Sequence, residues 1–281
     1  MIHAYHQPTA VEDAIALVAR GAVPVAGATG LYAGGCRRDA ELVDVTGLGL
    51  AGIEIHDDRI AIGATTPLQA LATNEALPGM EGALLRRCAR QVASRPLRNM
   101  ITAGGNVAHM VYWADLPVVL LALDGAVEVR VGAAPARQVP IAEVMRVGKQ
   151  AWDGGLITRI VVPRRNGRFS FGYERMTRTA TDYSLSTVCA TARYDDGVLR
   201  DVLFAVGAVT ARPTRMPSVE AALEGRAIDD ASVGKAVEAL ASDLTVAPNF
   251  RAPADYRRDL TIVLARRALV TMRVWATRGE E

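Results

Sequence analysis

Two short runs of small and polar residues carry the most chemical information in this 281-residue chain: Ala26-Gly27-Ala28-Thr29-Gly30-Leu31 and Thr102-Ala103-Gly104-Gly105-Asn106. Loops without bulky side chains can bring backbone N–H groups close to phosphate oxygens as an anion-binding nest, and Thr29, Thr102 and Asn106 add side-chain donors. A diphosphate could be held this way without a basic side chain. Each loop by itself also fits an ordinary turn, because glycine punctuates loops generally.

Other formal motifs carry less. Gly47-Leu48-Gly49-Leu50-Ala51-Gly52 satisfies G-x-G-x-x-G, but a dinucleotide fingerprint must open a helix, and the residues after it, Ile53-Glu54-Ile55 and Asp57-Asp58, spell a hairpin. A flexible connection is the preferred reading. Cys36, Cys88 and Cys189 lie far apart with no C-x-x-C pair, and the chain has only 4 His, so it cannot readily assemble a zinc site or an iron–sulphur cluster alone. Reduced cysteines packed as small apolar residues are expected. His109 has no partner at metal-ligand spacing and reads as a hydrogen-bonded structural histidine, while neither Ser184 nor Cys189 belongs to a nucleophile constellation.

The composition narrows the class. Half the residues are hydrophobic (50%), and Lys+Arg 32 against Asp+Glu 30 leaves a formal charge of +2, so the chain folds but presents no broad cationic field for nucleic acid. The start lacks a basic region followed by a continuous apolar run, with Glu12 and Asp13 interrupting its first hydrophobic segment, and no apolar run is long enough to span a membrane. A cytoplasmic protein of two domains is expected.

The elements that must position the two loops are legible in outline. Thr9 and Glu12 have capping-box spacing ahead of Val11, Ile15 and Val18, and Gly21 supplies a stop. Pro24 to Ala26 reads as a strand ending in a small-residue loop from Gly27 to Gly35. Leu42 to Thr46 is a second strand, and Ile53–His56 with Arg59–Ile62 a hairpin. Helical spacing covers Leu68–Leu71 and Gly82 to about Ala93, with Arg95-Pro96 terminating it; Asp115 and Pro117 start a helix over Leu116–Leu123. Strands follow at Val127–Val131 and Leu156–Val162. Turn residues collect from Pro163 to Arg168 and mark a domain boundary. Beyond it, Phe169–Arg175, Ser184–Tyr194 and Val198–Val209 form an antiparallel meander, closed by helices over Asp230–Ser242 and Asp255–Thr277, the order of an α+β domain.

Several motifs in order resemble the FAD-binding medium subunit of the xanthine dehydrogenase and carbon monoxide dehydrogenase family, a molybdenum hydroxylase family, over nearly the whole chain. Val25 to Leu31 resembles that family's first flavin loop, A-G-G-T-D-L or V-G-N-T-E-I. Leu97 to Asn106 resembles its I-R-N-x-x-T-I-G-G-N, and Asp115-Leu116-Pro117 stands where D-L-P follows. Tyr173-Glu174-Arg175-Met176-Thr177-Arg178 with Asp182-Tyr183-Ser184-Leu185 is similar to Y-x-K-x-x-R followed by D-Y-x-L. There are departures. Gly30 stands at an Asp, Glu or Ser position, Arg175 at a Lys position, Thr179 at an Arg position, and Val92 where some relatives have an aromatic; His109 to Ala114 differs from H-A-D-P-x-x.

The resemblance implies an α/β plus α+β architecture: a two-lobed, PCMH-type FAD-binding domain over residues 1–165, with lobes of about 1–57 and 58–165, and a C-terminal antiparallel sheet with helices over 169–281. It implies that Ala26, Gly27, Ala28, Thr29, Gly30 and Leu31, with Thr102, Gly104, Gly105 and Asn106, surround the diphosphate and ribityl region of FAD. Asp115 is then a partner for a cofactor hydroxyl, or simply a helix N-cap. Ile157 lies against the flavin or adenine, or in the core. Arg175 places charge near the isoalloxazine, or is a solvated surface arginine. Tyr112, Trp113 and Tyr183 are candidates for ring stacking or plain burial. By the same resemblance, a small subunit with two 2Fe-2S clusters and a large molybdenum-cofactor subunit are partners, as a dimer of heterotrimers, and electrons pass from a cluster through FAD to an external acceptor. Two other readings remain: a self-contained FAD-dependent oxidoreductase, and a flavin-free scaffold subunit.

Overall fold

A computed structural model of the chain describes residues 2–33, 40–165 and 167–277. Strands β1 (Ile2–His6), β2 (Val23–Val25) and β3 (Ala40–Asp44) form a parallel sheet in the order β1-β3-β2. Helix α1 (Val11–Ala19) buries Ala14 and Ile15. The expected Thr9–Glu12 capping box is not formed. Ala10 is the N-cap, without a side-chain bond, and Glu12 pairs instead with Arg130 at 2.7 Å, so a tertiary ion pair displaces the local cap. β1 escaped the sequence reading because IHAYH is mostly exposed and lacks apolar alternation. Part of the first glycine loop is a helical turn, α2 (Thr29–Ala33); Gly34 and Gly35 of that loop, with Cys36, lie outside the described residues.

The second lobe opens with the hairpin that the sequence implies, β4 (Ile53–Ile55) and β5 (Arg59–Gly63), with Ile53 opposite Ile62. Helices α3 (Leu68–Thr73), α4 (Gly79–Gln91), α5 (Arg95–Met100), α6 (Ala103–Ala108) and α7 (Asp115–Ala122) follow. Then come β6 (Ala126–Val131), β7 (Arg137–Pro140), α8 (Ile141–Val147), a 3-10 turn (Gly148–Trp152) and β8 (Gly155–Pro163). The five strands pair antiparallel in the order β4-β5-β8-β6-β7, so β4 belongs to this sheet and the first lobe ends ahead of Ile53 rather than at about residue 57. Arg95-Pro96 does more than stop α4. Proline's fixed φ and missing N–H suit the first turn of a helix, and Pro96 sits in that turn of α5. The run at Gly47–Gly52 leads into a strand and no helix, as its context implied.

The C-terminal domain is the expected meander: β9 (Arg168–Met176), β10 (Ser186–Asp195), β11 (Val198–Gly207) and the short β12 (Thr214–Arg215), in the order β12-β11-β10-β9. Helices α9 (Pro217–Leu223), α10 (Asp230–Asp243) and α11 (Ala254–Thr277) cover it. α9 was not legible in the sequence, since it buries only Val219 and Leu223 and is too short to show a period. α11 crosses β9 at Gly172, where an added Cβ would stand 1.8 Å from the Ala268 carbonyl oxygen. Only glycine allows the helix to lie that close to the sheet.

One hydrophobic cluster runs from the second lobe onto the C-terminal sheet, while a second lies wholly within the C-terminal domain. Every residue of α7 is buried, because it lies between the helices of the second lobe and strands β10 and β11 of the C-terminal sheet. A helix apolar on all sides needs such double cover. Its first residue, Asp115, is 4% exposed and faces Arg175 of β9 at 3.3 Å, itself 8% exposed. Ser184 and Thr187 hydroxyls donate to the Asp115 carboxylate at 2.8 and 2.5 Å. Burial pushes the Asp115 carboxyl up, and Arg175 with the two hydroxyls pulls it back down. Arg175 also donates to the main-chain oxygens of Gln91 and Asp182, so one guanidinium ties α4 and α7 to the C-terminal domain.

Two substitutions test this architecture by urea unfolding of the full chain. Gly172→Ala should cost about 1–3 kcal/mol through overpacking against Ala268; an unchanged midpoint would show that α11 can shift freely. Asp115→Asn should cost about 3–5 kcal/mol, because Arg175 is left as a buried charge without its counter-ion. The double substitution Asp115→Leu with Arg175→Met should recover most of that loss. If the double variant were as unstable as the single one, the pair would not be the source of the effect.

Candidate functional site

The first loop leaves β2 and turns at Ala28, whose φ of 56° lies in the left-handed region. A non-glycine residue there is uncommon and marks a turn fixed by its surroundings. Among the described residues, no hydrogen bond engages the main-chain amides of Gly27 or Ala28. They are free donors at a bend, the property that a nest requires.

The second loop is built differently from the expectation. Thr102 is the N-cap of α6, its hydroxyl accepting from the Gly105 amide at 3.2 Å. The amides of Ala103, Gly104 and Asn106 donate to the carbonyls of Thr66, Ala64 and Thr102. The amides from 103 to 106 are therefore spent within the protein, and this loop is a rigid shelf rather than a nest. Its anchor runs through the discounted glycine run: Thr66 Oγ1 donates to the Gly52 carbonyl and accepts from its amide, at 2.9 and 3.0 Å. Gly104 lies so close to Ala64 that a Cβ would stand 2.6 Å from the alanine methyl.

The structure brings the two loops into contact. A Cβ on Gly27 would stand 1.6 Å from the carbonyl oxygen of Met100, and one on Gly30 would stand 2.9 Å from Cε1 and Nδ1 of His109. Beside this junction the buried Oδ1 of Asn106 has no hydrogen-bond partner. A buried polar atom without a partner costs about 1–3 kcal/mol, so such an atom at a convergence of glycines fits a site completed by a ligand. Free amides at this junction can donate to phosphate oxygens, and an unpartnered amide oxygen can accept from a hydroxyl or N–H, where two glycines leave no room for side chains.

The remaining candidates are placed as follows. Asp115 and Arg175 are engaged with each other at the domain junction, and Arg175 is not a solvated surface arginine. Asp115 is not the N-cap of α7 either, since Ala114 holds that position. Ile157 is buried among the core residues of the second lobe. Tyr112, Trp113 and Tyr183 form a ring cluster with centroid separations of 4.7 and 4.9 Å. The Arg251 guanidinium stacks over Trp113 and Tyr183, a contact the sequence did not signal because 68 positions separate Arg251 from Tyr183. Lys149 was also missed: it stands near enough to His109 that its charge, after burial, helps hold the imidazole below the ordinary histidine range. Cys88 and Cys189 are fully buried, and burial pushes both thiols up, as expected of apolar packing.

Cavities of about 630 and 460 Å³ lie away from both loops. The larger is lined by Arg165, Arg193 and Arg215 with Asp124, Asp201 and Glu224, and two of those arginines are already paired with carboxylates. No cluster of metal-ligating side chains occurs among the described residues, and no helix there is long and apolar enough to cross a membrane.

Comparison with known proteins identifies the family. Residues 1–165 match the family described as FAD binding domain in molybdopterin dehydrogenase, and residues 171–272 match the CO dehydrogenase flavoprotein C-terminal domain. The chain is 30% identical over 280 residues to the nicotine 6-hydroxylase medium subunit of Paenarthrobacter nicotinovorans, covering 95% of each chain. It is 30% identical over 277 residues to the carbon monoxide dehydrogenase medium chain of Afipia carboxidovorans, covering 94% of each. Among solved structures, reconstituted CO dehydrogenase from Oligotropha carboxidovorans matches with a TM-score of 0.88 and 26% identity, over 96% of this chain and 97% of that one. The chain therefore belongs to the FAD-binding medium subunits of the molybdopterin dehydrogenases, the flavoprotein family of the carbon monoxide dehydrogenase type.

Proposed function

We propose that this chain holds FAD at the junction of its two glycine loops and serves as the electron outlet of a molybdenum hydroxylase complex. The observation that carries the reading is the meeting of Gly27 with the Met100 carbonyl and of Gly30 with His109, beside the unpartnered Oδ1 of Asn106. Within the loop from Ala26 to Leu31, Gly27 and Ala28 supply the free amides for the diphosphate. Thr102, Gly104 and Gly105 form the shelf that sets the distance to them, and Asn106 presents a side-chain amide to a cofactor hydroxyl or N–H. Arg175 and Asp115 act at one remove, by fixing α7 and the C-terminal sheet against the lobe that carries the shelf.

When bound, FAD would supply redox chemistry able to take electrons singly and give them up as a pair, which no side chain of this chain can do. The electrons would come from 2Fe-2S clusters on a small partner subunit, and substrate would be hydroxylated on a large molybdenum-cofactor subunit, the whole assembled as a dimer of heterotrimers in the cytoplasm.

Two outcomes are expected. Full-length chain freed of flavin should take up added FAD, read as quenching of flavin fluorescence. Gly27→Ala should weaken that uptake roughly tenfold, since about 1–3 kcal/mol of overpacking at Met100 pushes the loops apart. A colourless chain that takes up no FAD would point to a flavin-free scaffold instead. Secondly, the chain should co-purify with a cysteine-rich small protein and a molybdenum-containing large one, and only the complex should oxidise a substrate with bleaching of the flavin bands. Turnover of a substrate by the isolated chain would favour a self-contained oxidoreductase and sink the outlet role.

A further inference from the structure

We infer that the larger cavity, at the junction of the second lobe and the C-terminal domain, is a binding site for an oxyanion that carries a proton, of the inorganic phosphate class. It measures about 630 Å³, a size ordinary for small-molecule sites, and draws its lining from both domains. Asp124 comes from the turn after α7 and Arg165 from the linker; Arg193, Asp201 and Arg215 come from β10, β11 and β12, and Glu224 from the end of α9. None of these residues belongs to either glycine loop, so the inference stands apart from the FAD reading.

Each of the three guanidinium groups keeps a nitrogen for a ligand. Arg215 spends Nε and Nη2 on Glu220, at 2.8 and 2.7 Å, and Arg193 spends Nε and Nη1 on Asp201 and Asp195, at 3.1 and 2.9 Å. Among the described residues, Arg215 Nη1 and Arg193 Nη2 carry no hydrogen bond. Arg165 forms no ion pair there, and its Nη1 reaches only the Asp201 carbonyl, at 3.3 Å. It is nevertheless held in place. Its amide donates to the buried Glu81 carboxylate at 2.8 Å, and its guanidinium lies over Phe169, 5.2 Å from the ring centroid. Planar groups with free N–H edges around one cavity match the several acceptor oxygens of an oxyanion.

The carboxylates decide which oxyanion fits. Glu224 spends both oxygens on the amides of Asp201 and Val202, and Asp201 is tied to Arg193. The Asp124 carboxylate alone accepts no hydrogen bond among the described residues; its charge reaches Arg165 and Arg215, but it pairs with neither. An ionised carboxylate facing the cavity repels a fully deprotonated anion and accepts the proton of one that keeps an O–H. At neutral pH sulfate has no proton and inorganic phosphate keeps at least one. Asp124 therefore selects phosphate over sulfate.

Titration calorimetry of the full-length chain with inorganic phosphate, and with sulfate at matched ionic strength, tests the assignment. Phosphate should bind saturably, with sulfate about tenfold weaker. Arg165→Gln should weaken phosphate about tenfold, the loss of a charge-assisted contact. Asp124→Asn keeps the shape of the side chain and tolerates the left-handed backbone at this position, where φ is 54°. In that variant sulfate should come within about twofold of phosphate, because the amide can donate where the carboxylate repelled. The glycine loops could hold phosphate too, so the titration is repeated with excess FAD: phosphate in the cavity stays bound, whereas phosphate on the loops is displaced. The assignment is overturned by no saturable phosphate binding, by equal affinity of the wild-type chain for the two anions, or by sulfate still excluded from Asp124→Asn. Phosphate binding that survives Arg165→Gln unchanged, or that FAD abolishes, overturns it as well.

Discussion

The site depends on one close contact, the approach of Gly27 to the carbonyl oxygen of Met100. No side chain fits between them, since even a Cβ would stand 1.6 Å from that oxygen. The contact joins two separately built sheets, a parallel one below the first loop and an antiparallel one beside the second. Glycine is required here for absence of volume, not for a special φ; the left-handed turn falls on the next residue, Ala28. The amides left free at this bend are the price of the geometry and the basis of its use.

The two loops divide the work in a way their similar composition hides. The first has unsatisfied amides and the second has almost none, because α6 and the carbonyls of Ala64 and Thr66 absorb them. A shelf with satisfied hydrogen bonds is stiff, and stiffness is what a pre-organised anion site needs from the side that does not donate. The segment from Gly47 to Gly52, which looks like a nucleotide fingerprint, contributes by bracing Thr66 and through it the shelf.

Beyond the site, a helix with no exposed face sets the relation between the domains. α7 cannot exist without the C-terminal sheet on one side and α4 on another, and its Asp115 meets Arg175 where both are removed from water. A buried pair of this kind is a poor source of net stability but a strict condition on geometry, because displacing either partner exposes an unpaired charge to the core. The same guanidinium holds the end of α4 and the turn that leads to Tyr183. Arg175 thus acts on the arrangement of elements around the proposed cofactor site.

Much of this was legible along the chain. The two glycine loops, the β4–β5 hairpin, α4, the C-terminal meander and the long last helix all follow from local period and turn chemistry, and the order of motifs identified the family. The wide spacing of Cys36, Cys88 and Cys189 and the presence of only 4 His led to the expectation that any iron–sulphur cluster belongs to another chain. What it could not determine were the relations among residues far apart in the chain. Whether Glu12 would cap α1 or reach Arg130, whether Asp115 would face a cofactor or Arg175, and which loop would keep its amides free are competitions between local and tertiary partners. Their outcome depends on which acceptor the folded chain brings closest, and in a core from which water is excluded a hydrogen bond or charge goes to whichever partner burial leaves it. The meeting of Gly30 with His109 is the clearest case: the sequence records a missing side chain at one position and a histidine at another, and only packing shows that they touch.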